Sequence, residues 1–157
     1  MPKITALIHA LNDSLRIGRT LDSLRSCDQV LVIDHGSTDN TEKIVRDHGA
    51  TIKKGIPGVD YGTYSVDCSN DWVLCIRANE AINEELEASL FEWKSTAHGE
   101  QLGFNIRVRE ELDGKWQVQD PETRLVNRCR LNWTGDLPPN TGVNDEIKGY
   151  ILRFQTP

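Results

Sequence analysis

Three short apolar runs divide the first half of the chain: ITALIHA at 4–10, QVLVID at 29–34 and WVLCI at 72–76. The last is unbroken, which suits a central strand covered on both faces. Helical signals lie between the runs. Asn12, Asp13 and Ser14 offer N-cap chemistry for a helix carrying Leu15, Gly18, Leu21 and Leu24 on one side. HGSTDNTEKIVRDHG reads as a glycine turn, a cap among Ser37, Thr38 and Asp39, a short helix, and Gly49 as its stop. Residues 50–54 form a third strand and residues 60–69 a short helix. Asn83 caps the longest helix, whose Leu86, Leu90, Trp93 and Ala97 make a packing stripe ending near Gly99. This alternation points to βα units feeding a mostly parallel sheet flanked by helices.

Beyond Gly99 the pattern changes. LGFNIRVREELDGKWQVQD predicts a hairpin about an Asp113-Gly114 turn that demands positive φ. TRLVNR adds a short strand, and TGDLPPNTG is irregular. With 157 residues and no internal repeat, the expectation is one α/β domain over 1–157, a Rossmann-type sheet with a C-terminal antiparallel hairpin.

Composition narrows the partners. A net charge of −6 argues against a duplex-binding surface, since nucleic-acid footprints are basic. Cys27, Cys68, Cys75 and Cys129 make no CxxC pair and no Cys/His cluster, which favours a reduced setting. The N-terminal apolar run is interrupted by His9 and followed by Asn12 and Asp13, unlike a signal peptide. No stretch has the length of a membrane span. The expected location is the cytoplasm.

In an open parallel sheet, ligands bind beyond the carboxyl ends of the strands. Those positions hold Asn12 and Asp13, then Asp34, then residues 55–61, then residues 77–80. Asp34 ends an apolar run, where an unpartnered carboxylate is costly. It accepts a hydrogen bond from a bound base or ribose, or it caps its own Gly-Ser turn. His35 reads as a structural histidine, because adjacent strand residues point to opposite faces. His9, His48 and His98 share no metal-ligand spacing. Residues 37–39 read as caps, although a helix N-terminus there attracts anions. GIPGVDYG is too irregular for a phosphate loop and lacks its lysine.

In order and spacing, ITALIHALND, VLVIDHGSTDNTEKIVRDHGA and DWVLCIRANEAINEEL resemble the nucleotide-sugar domain of family 2 glycosyltransferases, the GT-A fold. ETRLVNRCRLNWTGDLP is similar, more loosely, to that family's Arg-Leu strand and acceptor-side loop. The resemblance implies a nucleotide-binding half at 1–99 and a hairpin and acceptor-side segment at 100–157. It places Asn12 and Asp34 near a uridine-type nucleotide, and residues 77–79 at the metal-binding D-x-D position. There the chain carries Arg77 and Asn79, with Glu80 following. Tyr61 and Gly62 stand where the family shows Arg-Asn, and Asp136 in GDLPPN is the candidate base.

Glycosyl transfer needs a nucleotide pocket, a cation facing the leaving diphosphate, and a base for the acceptor hydroxyl. A divalent ion ordinarily supplies the second. Arg77 can substitute for it through charge-assisted contacts to phosphate, or it forms an ion pair with Glu80 or another acid in a protein that has lost catalysis. The expected site is therefore Asn12, Asp34, Arg77, Asn79 and Glu80 for a UDP-type nucleotide sugar, with Asp136 as base and no metal or other cofactor. Two functions follow: a small, metal-independent inverting transferase, or a non-catalytic relative that binds a nucleotide or a protein. A receiver-like domain lacks its early paired acids and later lysine.

Overall fold

The structure, a computed structural model, describes residues 1–141 and 145–157. Strands β1 (Ile4–Ala10), β2 (Gln29–Asp34), β3 (Thr51–Lys54) and β4 (Trp72–Cys75) pair in parallel in the order β3-β2-β1-β4. In register, Leu7 lies between Leu31 and Cys75. Continuous burial of Ile4, Ala6, Leu7 and Ile8 on the middle strand is what an apolar run covered on both faces requires. Even positions of β1 join a large core with Leu86, Leu90 and Trp93. Leu7 faces a smaller core with Tyr64, Cys68 and Trp133.

The sheet continues antiparallel. β8 (Glu122–Asn127) lies beside β4, and β6 (Gly103–Leu112) lies beside β8. β6 forms the expected hairpin with β7 (Lys115–Val118) through Asp113 at φ 52° and Gly114 at φ 75°. β9 (Asp145–Arg153) runs parallel to β6, and β5 (Glu80–Ile82) closes the nine-stranded sheet at its edge. The irregular stretch expected over 134–142 ends at Gly142, which lies outside the described residues.

The helices follow the sequence with two shifts: the first helix starts late, and the longest stops at Lys94, leaving Ala97 exposed beyond it. α3 (Glu84–Lys94) is capped by Asn83, whose Oδ1 accepts from the Leu86 N–H and also from the Tyr150 N–H, both at 3.0 Å, so the cap ties the helix to β9. α2 (Thr41–Asp47) begins where Asp39 Oδ1 accepts from the Thr41 N–H at 2.9 Å, and it ends at Gly49, φ 75°. α1 (Ile17–Asp22) starts later than expected and has no side-chain cap. Asn12 and Asp13 are engaged elsewhere, and Leu15 is exposed. A short 3-10 helix (Tyr61–Asp67) packs on the smaller core, with Gly62 so close to the Trp133 carbonyl that a Cβ would collide with it. Among the described residues no helix is long and apolar enough to cross a membrane.

Candidate functional site

Parallel pairing brings the carboxyl ends of β1, β2 and β4 together, and a cavity of about 260 Å³ opens there. Its walls include His9, His35, Tyr61, Arg77, Asn79 and Asp136. Arg77 follows β4 and reaches across to the loop after β8. Its Nε donates to Asp136 Oδ2 at 2.7 Å, with the second nitrogen 3.5 Å from Oδ1. The hydrogen bond that Arg77 donates to Asp136 raises the guanidinium pKa above its ordinary value. Burial pushes Asp136 up, but the bond and charge of Arg77 outweigh it and hold the carboxyl below the usual range. Asp136 is therefore ionised at neutral pH, as a proton acceptor must be, and it is engaged.

The other expected residues separate. Glu80 is fully buried and does not line the cavity. Arg124 donates to both of its oxygens at 2.8 Å, Arg153 adds a bond at 3.0 Å, and the Arg77 N–H donates to Oε1 at 2.8 Å. Its carboxylate is thus taken up within the protein, and it fixes the turn that presents Arg77 and Asn79. Asn12, at φ 54°, accepts from the Thr38 N–H at 2.8 Å and holds the β2–α2 turn. Asp34 Oδ1 accepts from the Ser37 hydroxyl at 2.5 Å, which is the turn-capping geometry. Asp34 lines a neighbouring cavity of about 230 Å³ with Lys54. The cleft thus unites Arg77, Asn79 and Asp136, and leaves Asn12, Asp34 and Glu80 around it.

Sequence reasoning missed the histidines. The β1–β2 register sets Ala10 beside Asp34, and His9 Nδ1 meets His35 Nε2 at 2.9 Å. Tyr61 stacks on both rings, at 4.4 Å from His9 and 4.1 Å from His35. Burial and then the charge of His35 push His9 down to about 4, and burial lowers His35. Both imidazoles are neutral at pH 7, and among the described residues His9 Nε2 is buried without a partner. The available signal was a histidine interrupting an apolar run near its carboxyl end. Among the described residues, no three His, Cys, Asp or Glu are grouped to hold a metal ion.

No protein-family model matches the chain. It is 34% identical over 158 residues to an uncharacterized glycosyltransferase of Rickettsia prowazekii, an alignment covering 94% of this chain and 53% of that protein. It is 30% identical over 177 residues to the lipopolysaccharide core biosynthesis glycosyltransferase LpsC of Rhizobium meliloti, covering 99% and 65%. The fold is that of TarS from S. aureus (TM-score 0.60, 17% identity, 81% of this chain and 47% of that one). It is also that of glucosyl-3-phosphoglycerate synthase from Mycobacterium tuberculosis, solved with Mg²⁺ and UDP (TM-score 0.54, 21% identity, 69% and 44%). In sequence the chain is similar to these curated glycosyltransferases, and its fold is the GT-A fold. This glycosyltransferase-like chain spans about half the length of the Rickettsia prowazekii protein it matches.

Proposed function

We propose that the cleft binds a UDP-type nucleotide sugar and that Arg77 holds its diphosphate in place of a metal ion. The observation that carries this is a guanidinium on the cavity wall directly after β4, at the position where the family resemblance sets the D-x-D pair. A planar N–H fork matches phosphate oxygens and neutralises a leaving diphosphate. Related support comes from M. tuberculosis glucosyl-3-phosphoglycerate synthase, which was solved with UDP and, separately, with UDP-glucose. Asn79 lines the same wall, Asn12 and Asp34 shape the nucleotide side, and Glu80 holds the turn. The chain acts as one domain in the cytoplasm, with residues 1–99 on the donor side and 100–157 on the acceptor side. In transfer, Asp136 takes the acceptor hydroxyl's proton as the new glycosidic bond forms and the bond to the diphosphate breaks.

Calorimetry tests the diphosphate contact. Arg77→Ala weakens UDP by about 1.5–3 kcal/mol and leaves uridine nearly unchanged. Equal loss of both makes the arginine structural. Mn²⁺ leaves wild-type affinity unaltered, whereas Arg77→Asp with Asn79→Asp makes it Mn²⁺-dependent. A tenfold Mn²⁺ gain in the wild type overturns metal independence. One observation favours a second reading, a non-catalytic nucleotide binder: the candidate base is occupied by Arg77. Nucleotide binding with no release of sugar to water or to any acceptor selects it.

A further inference from the structure

The cleft already holds an anion. Where the proposed function needs Arg77 to grip a diphosphate, the structure has it gripping Asp136 at 2.7 Å. The pair is not sealed into the core: its side chains are 43% and 35% exposed and both line the cavity. In the same cavity, His9 Nε2 is buried and unpartnered among the described residues while Nδ1 is engaged with His35. We propose that Asp136 is a built-in competitor of the ligand's diphosphate, occupying Arg77 until an incoming anion displaces it, and that His9 Nε2 receives the displaced carboxylate. The inference rests on the reading that the cleft takes a nucleoside diphosphate.

A carboxylate and a phosphate use the same guanidinium N–H donors, so each excludes the other from the Nε edge that Asp136 now holds. Deleting the internal carboxylate therefore strengthens ligand binding. A residue that touched the ligand would weaken binding when removed, and one that acted only as base would leave binding unchanged. His9 is surrounded by His35 from the end of β2, Tyr61 and Tyr64 from the 3-10 helix, Arg77 after β4, and Asp136. Asp13 and Arg16 share the cavity but pair with each other at 3.3 Å. A carboxylate delivered to His9 favours its protonated form, so displacement is linked to proton uptake and ligand affinity gains from this source as pH falls toward 5.

The test is calorimetric titration of inorganic pyrophosphate and of UDP into the full chain, as wild type and as Asp136→Asn, at pH 7.5 and 5. Asp136→Asn tightens both ligands by about two- to fivefold, the scale of a partly exposed ion pair, and leaves uridine unchanged. It also removes the part of the pH dependence that exceeds the ligand's own titration. Unchanged or weaker binding in Asp136→Asn overturns the proposal. If neither ligand binds either protein, the nucleotide reading itself fails, and a ligand-free measurement decides the rest. Arg77→Met releases Asp136, which raises the proton affinity of His9 by about tenfold in an NMR titration of its ring, and Arg77→Met with Asp136→Asn abolishes the rise. His9 remaining near 4 in Arg77→Met overturns the transfer of Asp136 to His9.

Discussion

Two acid–base pairs grow from the same turn after β4, three residues apart, and they do opposite things. Glu80 and Arg124 are both 0% exposed, joined by two bonds of 2.8 Å, with Arg153 and Glu122 completing a knot between β5, β8 and β9. Arg77 and Asp136 are joined by one good bond at the rim of a cavity. Burial makes the difference. Inside, each charge lost its water and depends on its partner; at the rim, water or a ligand replaces the partner at little cost. A knot that cannot be exchanged holds still the turn on which an exchangeable pair is displayed.

The largest effect expected is on the knot. Arg124→Met leaves Glu80 buried with Arg153 as its remaining ion-pair partner, and chemical denaturation should show a loss of about 3–5 kcal/mol. A loss below about 1 kcal/mol would place this pair in the same class as Arg77 and Asp136, and the contrast would disappear. The pH dependence sharpens the point. Burial pushes Glu80 up, but the hydrogen bonds and charge of Arg124 hold it below the ordinary 4.5. A carboxyl lowered in the folded state stabilises above its unfolded value, and that contribution disappears as pH falls through the lowered one. Wild type and Glu80→Gln therefore differ most near pH 7 and converge as pH drops below 4.5. A constant gap down to pH 3 would mean that the charge is irrelevant.

Next in size is the wall of the cleft. Gly62→Ala drives a methyl group into the Trp133 backbone carbonyl. The 3-10 helix and the loop carrying Asp136 must then separate, at a cost of about 1–3 kcal/mol. The resonances of Tyr61 and its stacked histidines should shift while those of α3 stay in place. Perturbation spread equally over both would show that the cleft and the main core are one cooperative unit.

What the sequence made legible follows from what is local. β1 and β2 coincide with their apolar runs, and the hairpin follows from Asp113-Gly114. Asn83 announced α3. α1 was misjudged because the oxygens of Asn12 and Asp13 are drawn to the Thr38 and Leu11 N–H groups, so the capping chemistry is present but serves other turns. The strand-end rule located Arg77 and Asn79, since it depends only on topology. It could not separate Glu80 from them, because the Arg124 that claims Glu80 lies 44 residues away and nothing in RANE reveals it. The same holds for Asp136 on Arg77, 59 residues distant, and for the His9–His35 contact. The 145–153 strand, β9, is not evident from the sequence, because the inward position between Ile147 and Ile151 is a glycine, Gly149, which interrupts the apolar alternation although it is buried.

The smallest expected effect is the one most able to break the comparison. Arg77→Met removes a guanidinium that is 43% exposed and leaves Asp136 able to find water or His9, so the ligand-free protein should lose less than about 1 kcal/mol in urea denaturation. Screening supplies a control. At 1 M salt the Debye length falls to about 3 Å, and the difference between wild type and Arg77→Met should shrink further, while the Arg124→Met difference, protected by burial, persists. A loss above 2 kcal/mol, or one insensitive to salt, would mean that Arg77 anchors the fold as Arg124 does. Then the rim pair could not exchange partners, Asp136 could not yield to a diphosphate, and the cleft would be a second knot rather than a site.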